Sequence, residues 1–188
     1  MNRVVLGVVG AVGLVGVAVG GVWVAGSAMP ADSEVHLSVA TRQGPAAVWQ
    51  IVSDFENQPA WRDDIVSVER VEDVAGKPAY RETDSSGDTR TLVTSRWESP
   101  HSIQRDVVKD GYLLGSWSLG LRPEGMGTRV TLSETSRTPS PFRRLANSVL
   151  GWEMASGAAY LRALADHLGD TDNQINLCLL YTSPSPRD

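Results

Sequence analysis

Apolar and polar positions alternate from Val35 to Ala40, with Val35, Leu37 and Val39 on one side and His36, Ser38 and Ala40 on the other, until Gly44-Pro45 stops the pattern. Val48, Ile51, Val52 and Phe55 then recur at helical spacing. This order predicts a half-buried strand feeding an amphipathic helix. Pro45 stands at the helix start, where its missing N–H costs nothing. Asn57-Gln58-Pro59 ends the helix, and Trp61 follows.

Downstream the period changes to two. It predicts strands over 66–72, 79–83, 89–97, 102–109, 113–122 and 128–135. Short clusters rich in Gly, Pro, Asp and Ser separate them, among them Ala75-Gly76-Lys77-Pro78, Asp110-Gly111 and Pro123-Glu124-Gly125. Such residues reverse the chain, and the connections are too short for parallel crossovers, so an antiparallel meander is expected. After Thr138-Pro139-Ser140-Pro141 the pattern becomes helical again, predicting a helix of roughly seven turns over 142–168.

The order of elements, with several local motifs, resembles the START/Bet v 1-like helix-grip superfamily, also called SRPBCC or polyketide cyclase/dehydrase-like. Pro45-x-x-Val48-Trp49 with Asp54-Phe55 and Pro59-x-Trp61 is similar to its first helix and the short helix after it. Glu98-x-Pro100-x-x-Ile103 is similar to its middle turn, and Leu121-x-Pro123 with Gly127-Thr128-Arg129-Val130-Thr131 to its last hairpin. The resemblance covers about residues 34–169. It implies an α+β fold in which a curved seven-stranded antiparallel sheet wraps a long C-terminal helix. It also implies a cavity between helix and sheet.

The two ends stand apart from this domain. Residues 4–25 carry no charge and consist almost wholly of Val, Leu, Ala and Gly. At about 1.5 Å per residue they are long enough to cross a hydrocarbon core about 30 Å thick. Two fates are open: an uncleaved transmembrane anchor, or a secretory signal cut near Gly26-Ser27-Ala28. The length of the apolar run and Trp23 at its outer edge favour the anchor. Arg3 is the only charge before it, which orients the domain to the extracytoplasmic side of the membrane. At the other end, residues 178–188 read as one translated frame of a transposase-type sequencing adapter. The expected organisation is therefore an anchor or signal over 1–28, a linker over 29–33, the domain over 34–170 and a tail over 171–188.

Composition excludes several classes of function. The formal charge of −5, without clustered Lys or Arg, gives no basis for nucleic-acid binding. Cys178 is the only cysteine, so neither disulfides nor thiol chemistry are expected. The three histidines lack metal-ligand spacing, and no phosphate loop, G-x-S-x-G or H-E-x-x-H occurs. No cofactor or metal is expected, and no catalytic residue is assigned. The carboxylate pairs Asp63-Asp64 and Glu82/Asp84 read as solvated surface. Glu134 shares strand parity with Val130 and Leu132, which turns its carboxylate inward if those residues face the helix.

The aromatic set carries more weight. Trp49, Trp61, Trp97, Trp117, Trp152, Tyr80, Tyr112 and Tyr160 far outnumber the two phenylalanines. Buried Trp and Tyr need partners for their N–H or O–H, so as a set they suit a partly polar cavity, although any single ring suits ordinary core packing. The closing helix has apolar seams flanking small residues, Ala155 to Ala159, which either permit close contact with the sheet or leave a void beneath. The expected function is binding of a small hydrophobic or amphipathic ligand, such as a lipid or polyketide, on a membrane-tethered domain. The candidate lining is Trp61, Trp97, Tyr112, Trp117, Glu134, Met154, Ala158 and Leu161. A cyclase/aromatase-type enzyme and a ligand-free protein-interaction domain are the alternatives.

Overall fold

The computed structural model describes residues 21–29, 31–138, 140–150, 152–170 and 176–178; the side chains of 147–150, 152–154 and 176–178 are not included in the description. The expected membrane span lies outside the described residues except for 21–25, part of a helix over 21–27. Among the described residues no helix is long and apolar enough to cross a membrane.

The chain order is β1 (Asp32–Thr41), α1 (Pro45–Ser53), a single 3₁₀ turn (Gln58–Ala60), β2 (Ile65–Val74), β3 (Lys77–Asp84), β4 (Thr89–Glu98), β5 (Ser102–Lys109), β6 (Tyr112–Glu124), β7 (Gly127–Arg137), α2 (Pro141–Leu150), α3 (Trp152–His167) and β8 (Asn176–Cys178). The sheet is antiparallel in the order β2-β3-β4-β5-β6-β7-β1-β8. All seven expected strands are present, and the fold is the α+β helix-grip arrangement. The expected single closing helix is described as two segments on either side of Gly151, which lies outside the described residues.

One difference lies at the sheet edge. Asn176–Cys178 pairs with Ser38, Leu37 and His36 as a three-residue eighth strand, where a structureless tail was expected. Without it β1 would be an edge, and an edge strand presents a row of unpaired N–H and C=O groups that a passing segment can take up.

β1 and β2 lie far apart across the sheet, so α1 and the 3₁₀ turn carry the chain across one end of it. The meander closes through tight turns. Asp110 and Gly111 have φ of 52° and 81°, the pair of positive values that a two-residue type I′ hairpin requires and that Asp-Gly supplies.

Register sets the faces. Leu37 pairs with Leu132 and Val39 with Val130, and their side chains turn toward α3, as do Leu119, Leu121 and Ile103. Leu161 and Leu164, both at 0% exposure, meet them from the helix. α3 comes closest at Gly157, where an added Cβ would lie 2.7 Å from Leu37 Cδ1 and 3.1 Å from Leu132 Cδ2. The end of α3 is clasped to β1. Asp170, 4% exposed, accepts hydrogen bonds from Thr41 Oγ1, from Arg42 N at 3.0 Å and from Arg42 Nε at 2.7 Å.

Two outcomes follow from this packing. Leu132→Ala should cost about 2–5 kcal/mol in urea unfolding, because it leaves a cavity where helix and sheet meet. Burial alone would raise the Asp170 pKa, but the hydrogen bonds from Thr41 and Arg42 prevail and lower it. The clasp therefore contributes fully above the unfolded-state value of about 3.9 and is lost as pH falls through the folded value. The melting-temperature gap between the parent and Asp170→Asn should be constant near neutral pH and shrink below about pH 4.

Candidate functional site

Strand alternation turns a row of polar side chains inward at one end of the sheet. Arg105 shares parity with Ile103 and Val107, Glu82 with Tyr80, and Glu134 with Leu132. In register, Thr94 stands opposite Arg105, Arg105 opposite Trp117, Trp117 opposite Glu134, and Glu82 opposite Arg90. Gln58 and Arg62 reach the same place from the 3₁₀ turn, and Tyr160 from α3. Together with Leu92, Val107, Ser156 and Gly157, these polar groups and Trp117, Thr94 excepted, line a cavity of about 50 Å³. That is room for a few water molecules, well below the roughly 300–1,000 Å³ of pockets that enclose a whole small ligand.

The charges inside are unevenly satisfied. Glu82, 2% exposed, accepts from Arg90 Nε at 2.9 Å and Arg90 Nη2, and stands 3.5 Å from Arg62 Nη1. Arg62 also donates to Gln58 Oε1 at 3.0 Å and to both carboxylate oxygens of Asp64, at 3.1 and 2.6 Å. Burial works against the Arg62 cation, but Asp64 and Glu82 outweigh it and raise its pKa.

Arg105 is different. At 2% exposure its Nε and Nη2 have no hydrogen-bond partner among the described residues. Its guanidinium lies over the Phe55 ring at 3.8 Å and the Tyr80 ring at 5.3 Å, and cation–π attraction replaces only part of the lost hydration. Burial lowers its pKa to about 10, so it remains a cation at neutral pH. The Tyr160 hydroxyl is also buried without a hydrogen-bond partner among the described residues, and burial pushes its pKa up, which keeps it a neutral O–H donor. Its ring is held edge-on by Trp61 and Trp117, with centroids at 5.4 and 5.3 Å.

A profile of the family described as polyketide cyclase/dehydrase and lipid transport matches residues 33–168, most of the chain and nearly all of the sheet and α3. The chain belongs to this family. Solved structures repeat the fold. A protein of Thermus thermophilus is 19% identical with a TM-score of 0.59, covering 74% of this chain and 99% of its own. A START superfamily protein from Mycobacterium smegmatis is 19% identical with a TM-score of 0.54 over 73% and 97%. The Zhui aromatase/cyclase from Streptomyces sp. R1128 is 15% identical with a TM-score of 0.58 over 73% and 94%. At these identities the likeness is one of fold. No curated protein matches the chain in sequence.

In this polyketide cyclase/dehydrase-like chain, the expected lining residues fall in different places. Trp117 and Glu134 line the cavity, and Trp61 backs it through Tyr160. Ala158 and Leu161, 4% and 0% exposed, belong to the packed core and do not line the cavity, to which the helix contributes Ser156, Gly157 and Tyr160, while Gly157 also meets Leu37 and Leu132 of the sheet. The small residues thus do both things left open by the sequence. The side chain of Met154 lies outside the description. Trp97, half exposed, packs edge-on against Trp49 and Phe55 at the opposite end. Its inward face comes from a bulge between Thr94 and Arg96, which shifts the alternation by one residue. Tyr112 is 74% exposed beside the β5–β6 turn.

The sequence reading missed Arg62, Glu82, Arg90 and Arg105, and it put Glu82 on the solvated surface, which its burial corrects. The signal was present for Arg105, which shares the inward parity of β5 with Ile103 and Val107, and weak for Glu82, whose strand alternates with little contrast. Among the described residues no group of three or more His, Cys, Asp or Glu is placed to hold a metal ion.

Removing Glu82 would leave Arg62 and Arg90 facing each other beside Arg105. Glu82→Ala should therefore cost about 3–5 kcal/mol, the usual penalty for deleting one partner of a buried ion pair, read from the urea midpoint at unchanged slope.

Proposed function

We propose that this domain binds a small amphipathic molecule between α3 and the sheet, with an anionic or acceptor-rich head group at Arg105 and Tyr160. The observation that carries this reading is a pair of donors unpartnered among the described residues, Arg105 from the sheet and Tyr160 from α3, lining one cavity. A buried guanidinium and a buried hydroxyl without acceptors cost free energy unless something accepts from them. The cavity accommodates a carboxylate or enolate head, and the apolar remainder leaves past Trp117, Val107 and the open side at Ser156. Trp117 and Glu134 keep their expected role as ligand contacts, with Trp61 supporting Tyr160. The family description names both polyketide cyclase/dehydrase activity and lipid transport, which agrees with a ligand of this kind. The uncharged segment 4–25 supports a domain tethered outside the membrane.

A second reading has its own observation. Tyr160, kept protonated by burial and aimed with Arg105 at one cavity, has the means to donate a proton to an oxygen that gains negative charge. A cyclase-type reaction would use it so, with Glu134 on the sheet side of the cavity as the second polar group.

Binding of 2-naphthoate and its neutral analogue 2-naphthamide, followed by tryptophan fluorescence, tests the head-group assignment. Arg105→Met should weaken naphthoate about tenfold or more, leave naphthamide little changed and not lower stability, since an apolar side chain replaces a poorly compensated buried cation. Equal weakening of both compounds, or no naphthoate binding by the parent, would sink the proposal.

A further inference from the structure

The start of β1, the end of β7 and the β5–β6 hairpin lie at one end of the sheet. Asp32 pairs with Arg137, Gly115 with Ser136, and Ala31 O accepts from Thr138 N at 2.8 Å. The chain enters at this end. Gly26 abuts Pro141 at the start of α2, and Met29 O accepts from Arg144 Nη1 at 3.2 Å. β6 is two strand spacings from β1, about 10 Å. The hairpin tip is thus a close neighbour of the point where the N-terminal segment joins the domain.

That tip is exposed and apolar. Tyr112, Leu113 and Leu114 are 74%, 63% and 40% exposed in succession. Phe142 at the start of α2 is 43% exposed, and Val22, Trp23 and Val24 are also exposed. Consecutive exposed apolar residues on a hairpin are unfavourable in water and mark a contact surface. The opposite end is built differently. Its exposed apolar side chains, Met126 on the β6–β7 turn beside the Arg129–Glu124 ion pair, Trp97 and Val74, stand singly on separate elements. The cavity-lining groups Glu82, Arg90, Val107 and Glu134 all stand near the strand ends on the hairpin side.

We propose that this end lies against a phospholipid bilayer, with Tyr112, Leu113 and Leu114 in the interfacial layer and the cavity facing the membrane. The inference rests on the tethering reading above. The occupant follows from the chain itself: an uncharged apolar run ends at residue 25, a few residues before the chain joins this face, so the bilayer that accepts the run lies beside it. Tyr and Trp are the side chains that favour such interfaces. Charges here are mixed, with Lys109 paired to Asp88 and Arg137 near Asp32, so a neutral lipid surface suffices. A ligand drawn from the membrane would then pass from bilayer to cavity without crossing bulk water.

The test uses the full chain with Cys178→Ser, reconstituted in phosphatidylcholine vesicles. It carries one environment-sensitive fluorophore on either Leu113→Cys or Met126→Cys. The label at 113 should shift to the blue and lose most of its emission when lipids bearing a spin label near the head group are included. The label at 126 should keep the emission of a water-exposed dye. Co-flotation with vesicles, resistant to carbonate, reports the tether separately. A chain that floats while its 113 label stays in water overturns this orientation and leaves the tether intact. A chain that fails to float overturns both.

Discussion

At the end of the sheet that holds the cavity, one buried carboxylate, that of Glu82, neutralises the arginines gathered around it. Its carboxylate, enclosed on β3, faces Arg90 on the next strand and Arg62 from the turn after α1. Three separate parts of the chain are thereby fixed relative to one another, and the wall of the cavity is fixed with them. The interaction is local in space and long in sequence. It is also costly to assemble, because each ion must leave water before its partner is in place. Folding of this end therefore depends on the apolar core, from Leu37 to Leu164, holding helix and sheet together around it.

Arg105 is the part of the arrangement that folding does not explain. Arg62 and Arg90 end on carboxylates, whereas Arg105 stacks on Phe55 and Tyr80 and keeps two N–H-bearing nitrogens unmatched. A packed hydrophobic side chain would serve stability at least as well. Groups that work against stability in an otherwise consistent fold mark the places where function sets the residue. The volume beside Arg105, about 50 Å³, has room for a head group and no more.

Much of the fold was legible because its signals are local. The alternation in β1 and β7, the Pro45 helix start and the Asp110-Gly111 hairpin each follow from a few adjacent residues. The site was less legible because its members, Arg62, Glu82, Arg105 and Tyr160, come from four elements, and no spacing in the chain encodes their meeting. Parity did carry Glu134 to the inner face. It did not carry Glu82, because a strand with Ala79, Arg81 and Thr83 on its other side gives no strong contrast between faces. Tyr112 was grouped with the cavity aromatics by its chemistry alone, yet the turn beside it points the strand end into solvent. The bulge at Ser95, which brings Trp97 inward, leaves no mark in composition.

The Asp170 clasp has a bearing on the reach of the molecule. By tying the end of α3 to Thr41 and Arg42, it releases the chain beyond residue 170 at the far end of β1 from Asp32. That strand spans ten residues, or roughly 30 Å. From there the chain comes back, because Asn176–Cys178 runs antiparallel beside Ser38, Leu37 and His36, toward the end of β1 where the N-terminal segment joins. Both ends of the described chain are thereby directed toward the same end of the sheet.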